Sequence, residues 1–277
     1  MRILADIGGT YIRLATEQDG EPQNIQKYKA SDFKSLGEAL TQYRCDQKGE
    51  LLIAAAGAKV SGKWMITNNP DWSIEAEGRE TALTLNDFEA TAYSLPILKG
   101  EDLHTIKKAT PTNKDLCVIG AGTGLGLAYM RNNSVQKTHG GHMPIASLND
   151  THGKVIKELR SHQNRAMVFE DIVSGPALQK LRALYDEDKA LELFHDFLGI
   201  FAATALISGN AFDGLYLTGG VITDLHESNQ FDENRFIDAL CFKAAPCVRQ
   251  DLQATPIHII TDPFPALKGL IHAYNKA

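Results

Sequence analysis

The feature that most limits what this chain can fold into is a strand, a glycine turn and a second strand, used twice. Residues 2–7 read Arg-Ile-Leu-Ala-Asp-Ile, stop at Gly8-Gly9-Thr10, and resume as an apolar segment from Ile12 to Thr16. Far along the chain, Leu116-Cys117-Val118-Ile119 runs into the glycine-rich stretch Gly120 to Gly126 and continues as Leu127-Ala128-Tyr129-Met130. Apolar runs of strand length on either side of a glycine turn predict β-hairpins. Two such hairpins predict a duplicated architecture of two lobes.

The other segments fit around them. Residues 51–56 (Leu-Leu-Ile-Ala-Ala-Ala) predict a buried strand, and Lys63 to Thr67 a short one. Phe88 to Leu98 reads as a helix starting just after Asn86-Asp87 and ended or kinked by Pro96. Phe194 to Ser208 reads as a long apolar helix. Gly214 to Thr218 is a strand broken by Gly219-Gly220, Ile257 to Ile260 a late strand, and Ala266 to Tyr274 a closing helix. Strands mixed with helices make an α/β protein. The polar stretch Lys107 to Lys114, which contains Pro111, is the expected boundary. It sets off a small lobe, 1–110, from a large lobe, 111–263, which is followed by the closing helix 264–277. Glu227 to Arg235 reads as a surface loop.

Composition narrows the function classes. The 277 residues allow two lobes but not many more. A formal charge of −6 argues against a nucleic-acid binder. No apolar run approaches the roughly 20 residues of a membrane span, and Asp6 would interrupt the apolar stretch of a secretory signal. The four cysteines form no Cys-x-x-Cys pair, which suits reduced thiols in the cytoplasm. His139 and His142 lack a third metal ligand in the pattern.

Glycine turns let backbone N–H groups approach a phosphate with no side chain in the way. Gly8, Gly9 and Thr10, then Gly122, Thr123 and Gly124, then Gly219 and Gly220, suit that task. Asp6 precedes the first turn, where a carboxylate can hold Mg²⁺ directly or through water. The chain has neither Gly-x-Gly-x-x-Gly nor Gly-x-x-x-x-Gly-Lys-Ser/Thr, which lowers the case for a dinucleotide enzyme or a P-loop NTPase. Residue by residue, plainer readings stand beside these. An Asp ahead of a helix, as at Asp87, is usually a cap, and Asn68 and Asn86 are turn residues. Glu170 is a solvated helix start, and Trp72 packs in a core.

Taken together, the motifs resemble one family. Asp6-Ile7-Gly8-Gly9-Thr10 with Arg13-Leu14 is similar to the first phosphate segment of the bacterial glucokinases, in the hexokinase and actin superfamily. Gly120 to Gly126 is similar to their second phosphate segment, and Leu217-Thr218-Gly219-Gly220-Val221 to their adenosine segment. Leu85-Asn86-Asp87-Phe88-Glu89-Ala90, Gly140-Gly141-His142, Glu170 to Pro176, and Thr67-Asn68 with Trp72 follow in family order. The resemblance covers nearly the whole chain.

The resemblance implies a two-lobed actin/hexokinase-like (ribonuclease H-like) fold, each lobe a mixed sheet with flanking helices, with the closing helix 264–277 packed back on the small lobe. It implies an ATP- and Mg²⁺-dependent sugar kinase of the cytoplasm, working on a small-molecule sugar with no nucleic acid or membrane partner. A homodimer is left open. Asp87 matches the catalytic base, while Asn68, Asn86, His142 and Glu170 match sugar-contacting positions. Asp6, Gly8, Gly9, Thr10, Gly122, Thr123, Gly124, Gly219 and Gly220 match the ATP site, with Asp6 toward Mg²⁺, chiefly through water. No cysteine cluster follows His142, which separates the chain from the repressor/kinase (ROK) branch. Two departures stand out: His139 where the family has Glu, and Tyr11 where it has Asn. A site built for one hydroxyl pattern discriminates against another. The His139 change thus counts against glucose as a good substrate, although by the resemblance glucose is the leading candidate, with another hexose or an amino sugar behind it. The rival reading is a catalytically weak sugar or nucleotide sensor.

Overall fold

Alternation decides which side of the first strand faces which core. A computed structural model of the chain describes residues 2–43, 49–60, 63–66, 71–74, 80–109, 115–160, 165–241 and 244–276. In β1 (Arg2–Ile7), Ile3, Ala5 and Ile7 enter one apolar cluster while Leu4 enters another, as the period of two requires. β1 pairs antiparallel with β2 (Tyr11–Gln18), which pairs with β3 (Glu21–Lys29). α1 (Leu36–Gln42) starts where the Ser35 side chain accepts from the Glu38 N–H. β4 (Glu50–Ala55) returns parallel to β1 and splits its residues as β1 does, Leu51, Ile53 and Ala55 to one side and Leu52 and Ala54 to the other. β5 (Gly57–Val60) and β6 (Lys63–Ile66) form a separate hairpin. β7 (Thr81–Asn86) lies parallel to β4 and leads straight into α2 (Asp87–Ser94). The sheet order is β3-β2-β1-β4-β7.

The remaining elements follow in chain order. β8 (Leu103–Lys107), β9 (Asp115–Ala121) and β10 (Leu125–Arg131) precede the short β11 (Ser134–Lys137). Helices α3 (Asp150–Arg160), α4 (Gly175–Leu184) and α5 (Glu187–Gly209) follow, then β12 (Gly214–Thr218), α6 (Gly220–Glu227), α7 (Glu233–Cys241), α8 (Pro246–Ala254), β13 (Ile257–Ile260) and α9 (Pro265–Lys276). Five strands run in the order β10-β9-β12-β13-β8, with β9, β12 and β13 mutually parallel. The core is built on α5, whose residues Phe194, Phe197 and Phe201 are fully buried. This helix is long and apolar enough to cross a membrane by length and composition, which the sequence reading did not allow for, yet most of its apolar window is inside this core.

Compact units comprise residues 1–98, 133–137 and 262–277 on one side and 99–132 and 138–261 on the other. The division falls after Leu98, earlier than the expected 110, because β8 pairs with β13 and so belongs to the second sheet. Residues 110–114 of the expected boundary lie outside the described residues. Within the first unit α9 crosses α2 at Gly269, where an added Cβ would fall 1.7 Å from the Ala90 carbonyl oxygen. The architecture is the expected mixed α/β pair of sheets with flanking helices. The surface loop expected at 227–235 is shorter, since α6 runs to Glu227 and α7 starts at Glu233. Arg235 therefore sits on a helix, bidentate to Asp196 at 2.8 and 2.9 Å.

Candidate active site

In the first unit the candidate residues sit at the ends of β1, β7 and the turn after β1. Gly8 donates its N–H to the Tyr11 carbonyl at 2.9 Å, and a Cβ there would meet that same oxygen at 3.2 Å. The turn therefore closes tightly and leaves Thr10 exposed. Lys27 stacks its ammonium 4.1 Å from the Tyr11 ring centroid, so Tyr11 packs sideways along the sheet edge.

Asp87 is the first residue of α2, and the cap is Asn86. Asn86 Oδ1 accepts from the Phe88 N–H at 2.9 Å, and Glu89 Oε2 accepts from the Asn86 N–H at 2.9 Å. Asn86 Nδ2 also donates to the Gly57 carbonyl at 3.0 Å. The cap role that an Asp before a helix normally takes is thus filled by its neighbour. This corrects the capping reading of Asp87 and leaves its carboxylate for other work.

The electrostatics of that carboxylate are unusual. Asp87 is recessed among protein atoms while still partly open to solvent. Burial pushes its pKa up to about 7, and the nearby charge of Asp6 adds to the rise. Backbone N–H groups at the helix start and the Asn86 side chain pull in the other direction and lose. Asp6 itself is only 7% exposed. It faces Arg13 across the β1–β2 ladder, with Arg13 Nη1 donating to Oδ2 at 2.8 Å. Burial raises the Asp6 pKa, and Arg13 offsets that only in part. Of the two recessed carboxylates, Asp6 is the one paired with Arg13. It is also the one whose chemistry suits a hydrated hard cation. Among the described residues there is no group of three or more His, Cys, Asp or Glu that could hold a metal alone.

In the second unit three distant segments meet around Gly122. Its N–H donates to the Gly124 carbonyl at 2.9 Å, its carbonyl accepts from the Gly175 N–H at 2.7 Å, and the Gly220 nitrogen lies 3.9 Å from where its Cβ would sit. Gly219 has φ +97°, and a Cβ there would lie 2.4 Å from the Ala121 carbonyl oxygen. Thr123 is exposed at the loop tip. The α6 N-terminus begins at Gly220, so its free N–H groups join this glycine cluster. Gly175 was legible only as part of a longer motif; its part in holding Gly122 was not.

Glu170 lies in a short 3₁₀ turn, Phe169–Asp171, and its Oε2 accepts from the Leu125 N–H at 2.8 Å. It braces the far side of the Gly122–Gly124 loop. His139 and His142 flank the buried Gly140 and Gly141, both rings exposed, with centroids 6.4 Å apart. Those glycines are required because Cβ atoms would collide with Leu127 at 2.3 Å and with the Leu125 carbonyl at 2.2 Å. Trp72 is 3% exposed and donates Nε1–H to the Phe33 carbonyl at 2.9 Å, a packing role. Asn68 lies outside the described residues, as does Cys45. Cys117, Cys241 and Cys247 are free thiols, and burial pushes the Cys117 pKa up.

The model of a family described as Glucokinase matches residues 3–189 and 182–277. A glucokinase of Yersinia pestis (strain Pestoides F) is 27% identical over 312 aligned positions, which cover 96% of this chain and 94% of that protein. Among solved structures, a glucokinase from an Antarctic psychrotroph superposes with a TM-score of 0.80 at 24% identity, covering 100% of this chain and 99% of the other. A glucokinase from Balamuthia mandrillaris, in complex with glucose, gives 0.73 at 19% identity, with 99% and 93% covered. A ROK hexokinase from Thermus thermophilus gives 0.64 at 17% identity, with 100% and 97% covered. At these identities the solved structures speak for the fold.

Proposed function

This chain belongs to the glucokinase family and is an ATP-dependent hexose kinase; on that premise we propose that Asp87 is the base that takes the proton of the attacking sugar hydroxyl. The carrying observation is the state of that carboxylate. It is recessed, relieved of capping by Asn86, and poised at a pKa of about 7. A base with a pKa near working pH is ionised often enough to act and basic enough to accept a proton. The hydroxyl oxygen forms a bond to the γ-phosphorus as the bond from that phosphorus to the bridging oxygen breaks. The hydroxyl proton passes to the Asp87 carboxylate, and ADP leaves.

The remaining roles follow the same reading. Gly8, Gly9, Thr10, Gly122, Thr123, Gly124, Gly219 and Gly220 are proposed ATP contacts; Gly8 and Gly122 use their own N–H groups to close their turns, and Thr10 and Thr123 carry hydroxyl donors suited to phosphate. Mg²⁺ bound to ATP would neutralise developing phosphate charge, with Asp6 holding its hydration shell. Asn68, Asn86, His139, His142 and Glu170 are proposed sugar contacts. For Asn86 and Glu170 this means a dual role, since Asn86 also caps α2 and Glu170 also braces the glycine loop. Glucose is the first sugar to test, and the exposed His139 in place of the family's Glu makes other hexoses and amino sugars the next. The absence of a cysteine between His142 and Cys241 supports placing the chain outside the ROK branch. The family points to a cytoplasmic enzyme, and the match does not favour a catalytically weak sensor.

A coupled assay of sugar-dependent ADP release over hexoses, amino sugars and sugar acids tests this. One hexose should support turnover, and Asp87→Asn should lower kcat by about 10²–10⁴-fold with an unchanged circular dichroism spectrum. Near-normal turnover in that variant would remove Asp87 from the mechanism.

A further inference from the structure

Tyr11 stands where the family has Asn, next to the first glycine turn. It is the first residue of β2, its carbonyl closes the turn by accepting the Gly8 N–H, and its ring is exposed. Register decides what surrounds it. Arg13 lies directly across from Asp6 on β1 and directly across from Lys27 on β3. Partners directly opposite share a face of the sheet, and so do residues two apart on one strand. Asp6, Tyr11, Arg13 and Lys27 therefore share one face. Ile12, Leu14 and Tyr28, which alternate with them, pack into the apolar cluster on the other.

Arg13 and Lys27 are like charges directly opposite each other, an arrangement that costs stability when the two side chains stay together. Here they diverge. Arg13 turns to Asp6 at 2.8 Å, and Lys27 reaches to the residue after Thr10, with its ammonium 4.1 Å from the Tyr11 ring centroid. The ring face attracts the cation. It covers one side of the ammonium and leaves N–H donors open on the other. The contact also restricts lysine's large rotamer freedom before any ligand arrives, which lowers the cost of a later contact. The end of β3 is tied to the same turn, since the Ala30 N–H donates to the Thr10 carbonyl at 2.9 Å. An ordered ammonium thus stands beside the glycine turn, on the side of the sheet that carries Asp6. Resting on the reading of Gly8, Gly9 and Thr10 as ATP contacts, we propose that Lys27 is a further phosphate-binding residue of this kinase and that Tyr11 is the positioning residue that holds it. The ligand is the phosphate chain of a nucleoside polyphosphate. Asparagine, with no ring, could not hold the lysine in this way.

The full chain is titrated calorimetrically with ADP in the presence of Mg²⁺, with adenosine and with the preferred sugar, and KM for ATP is measured alongside. Lys27→Gln should weaken ADP binding about tenfold, the loss of one charge-assisted hydrogen bond, and leave adenosine and sugar affinities as in the wild type. KM for ATP should rise by more than kcat falls. Lys27→Arg should keep most of the ADP affinity. Tyr11→Phe should match the wild type, and Tyr11→Leu should weaken ADP binding by less than Lys27→Gln does. Adding Tyr11→Leu to Lys27→Gln should weaken it no further, because the ring acts through the lysine. Additive losses in that double variant would remove Tyr11 as the positioning residue. Thr10→Val separates the inference from the reading beneath it. If Thr10→Val weakens ADP binding and Lys27→Gln does not, Lys27 is only an edge-strand lysine and the proposal is overturned, while the turn remains an ATP contact. If neither variant weakens ADP binding, both are overturned.

Discussion

The turn after β1 and the turn after β9 are built on the same strand–glycine–strand plan, yet they are held by opposite means. Around Gly8 the surroundings are electrostatic: Asp6 and Asp87 lie recessed with Arg13 as the sole cation in contact with Asp6 among the described residues, and burial raises both carboxylates. Around Gly122 the surroundings are steric: Gly175 and Gly220 come close to it, and Gly219 lies against Ala121, where a methyl group would collide. The first turn is tuned by which charges are nearby, the second by which side chains are absent. A charge change should therefore alter rate and pH dependence in the first unit, and an added methyl should alter folding and nucleotide affinity in the second.

The largest effect on folding is expected from the steric side. Gly219→Ala places a Cβ 2.4 Å from the Ala121 carbonyl oxygen at φ +97°. It should cost about 2–5 kcal/mol of stability in urea unfolding, the sum of backbone strain and overpacking. An equally stable variant would show that the turn is free to move, and the contrast between the units would fail. Next comes the Asp87 charge. A carboxylate raised to about 7 when folded stabilises fully below its unfolded value near 4, and that stabilisation is lost as pH rises through 7. Asp87→Asn should thus gain stability over wild type as pH goes from 5 to 8, by about 1–3 kcal/mol at pH 8. A melting-temperature difference that does not widen between those pH values would place Asp87 in water.

A smaller effect sharpens the cap. Glu89→Gln keeps an acceptor for the Asn86 N–H but removes the charge, and Glu89→Ala removes both. The alanine variant should lose about 0.5–2 kcal/mol and the glutamine variant less. If α2 is held mainly through its crossing with α9 at Gly269, the two variants will be indistinguishable.

Much of this was legible in the chain itself. The two hairpins, β4, β12, β13 and the closing helix follow from apolar runs and glycine breaks. α7 was hidden because Glu227 to Arg235 is polar on its face; the Asp196–Arg235 pair that holds it lies 39 positions apart in sequence. β8 was missed for a similar reason, since its partner β13 comes about 150 residues later. At the site, motif order picked out Asp87, but local chemistry favoured a cap. Only the structure shows Asn86 and Glu89 taking the cap between them. The bracing roles of Gly175 and Glu170 are long-range contacts that no local pattern carries.

The central claim is that Asp87 is a base tuned to about 7 by burial and by Asp6. The most direct measurement is the pH profile of kcat/KM for the preferred sugar in the wild-type enzyme and in Asp6→Asn. The account predicts a tenfold rise per pH unit on the acid side, half-complete near pH 7 and shifted downward in the variant, where the Asp6 charge that helps raise Asp87 is gone. A wild-type profile flat from pH 5.5 to 8.5, or identical profiles in the two proteins, would contradict it.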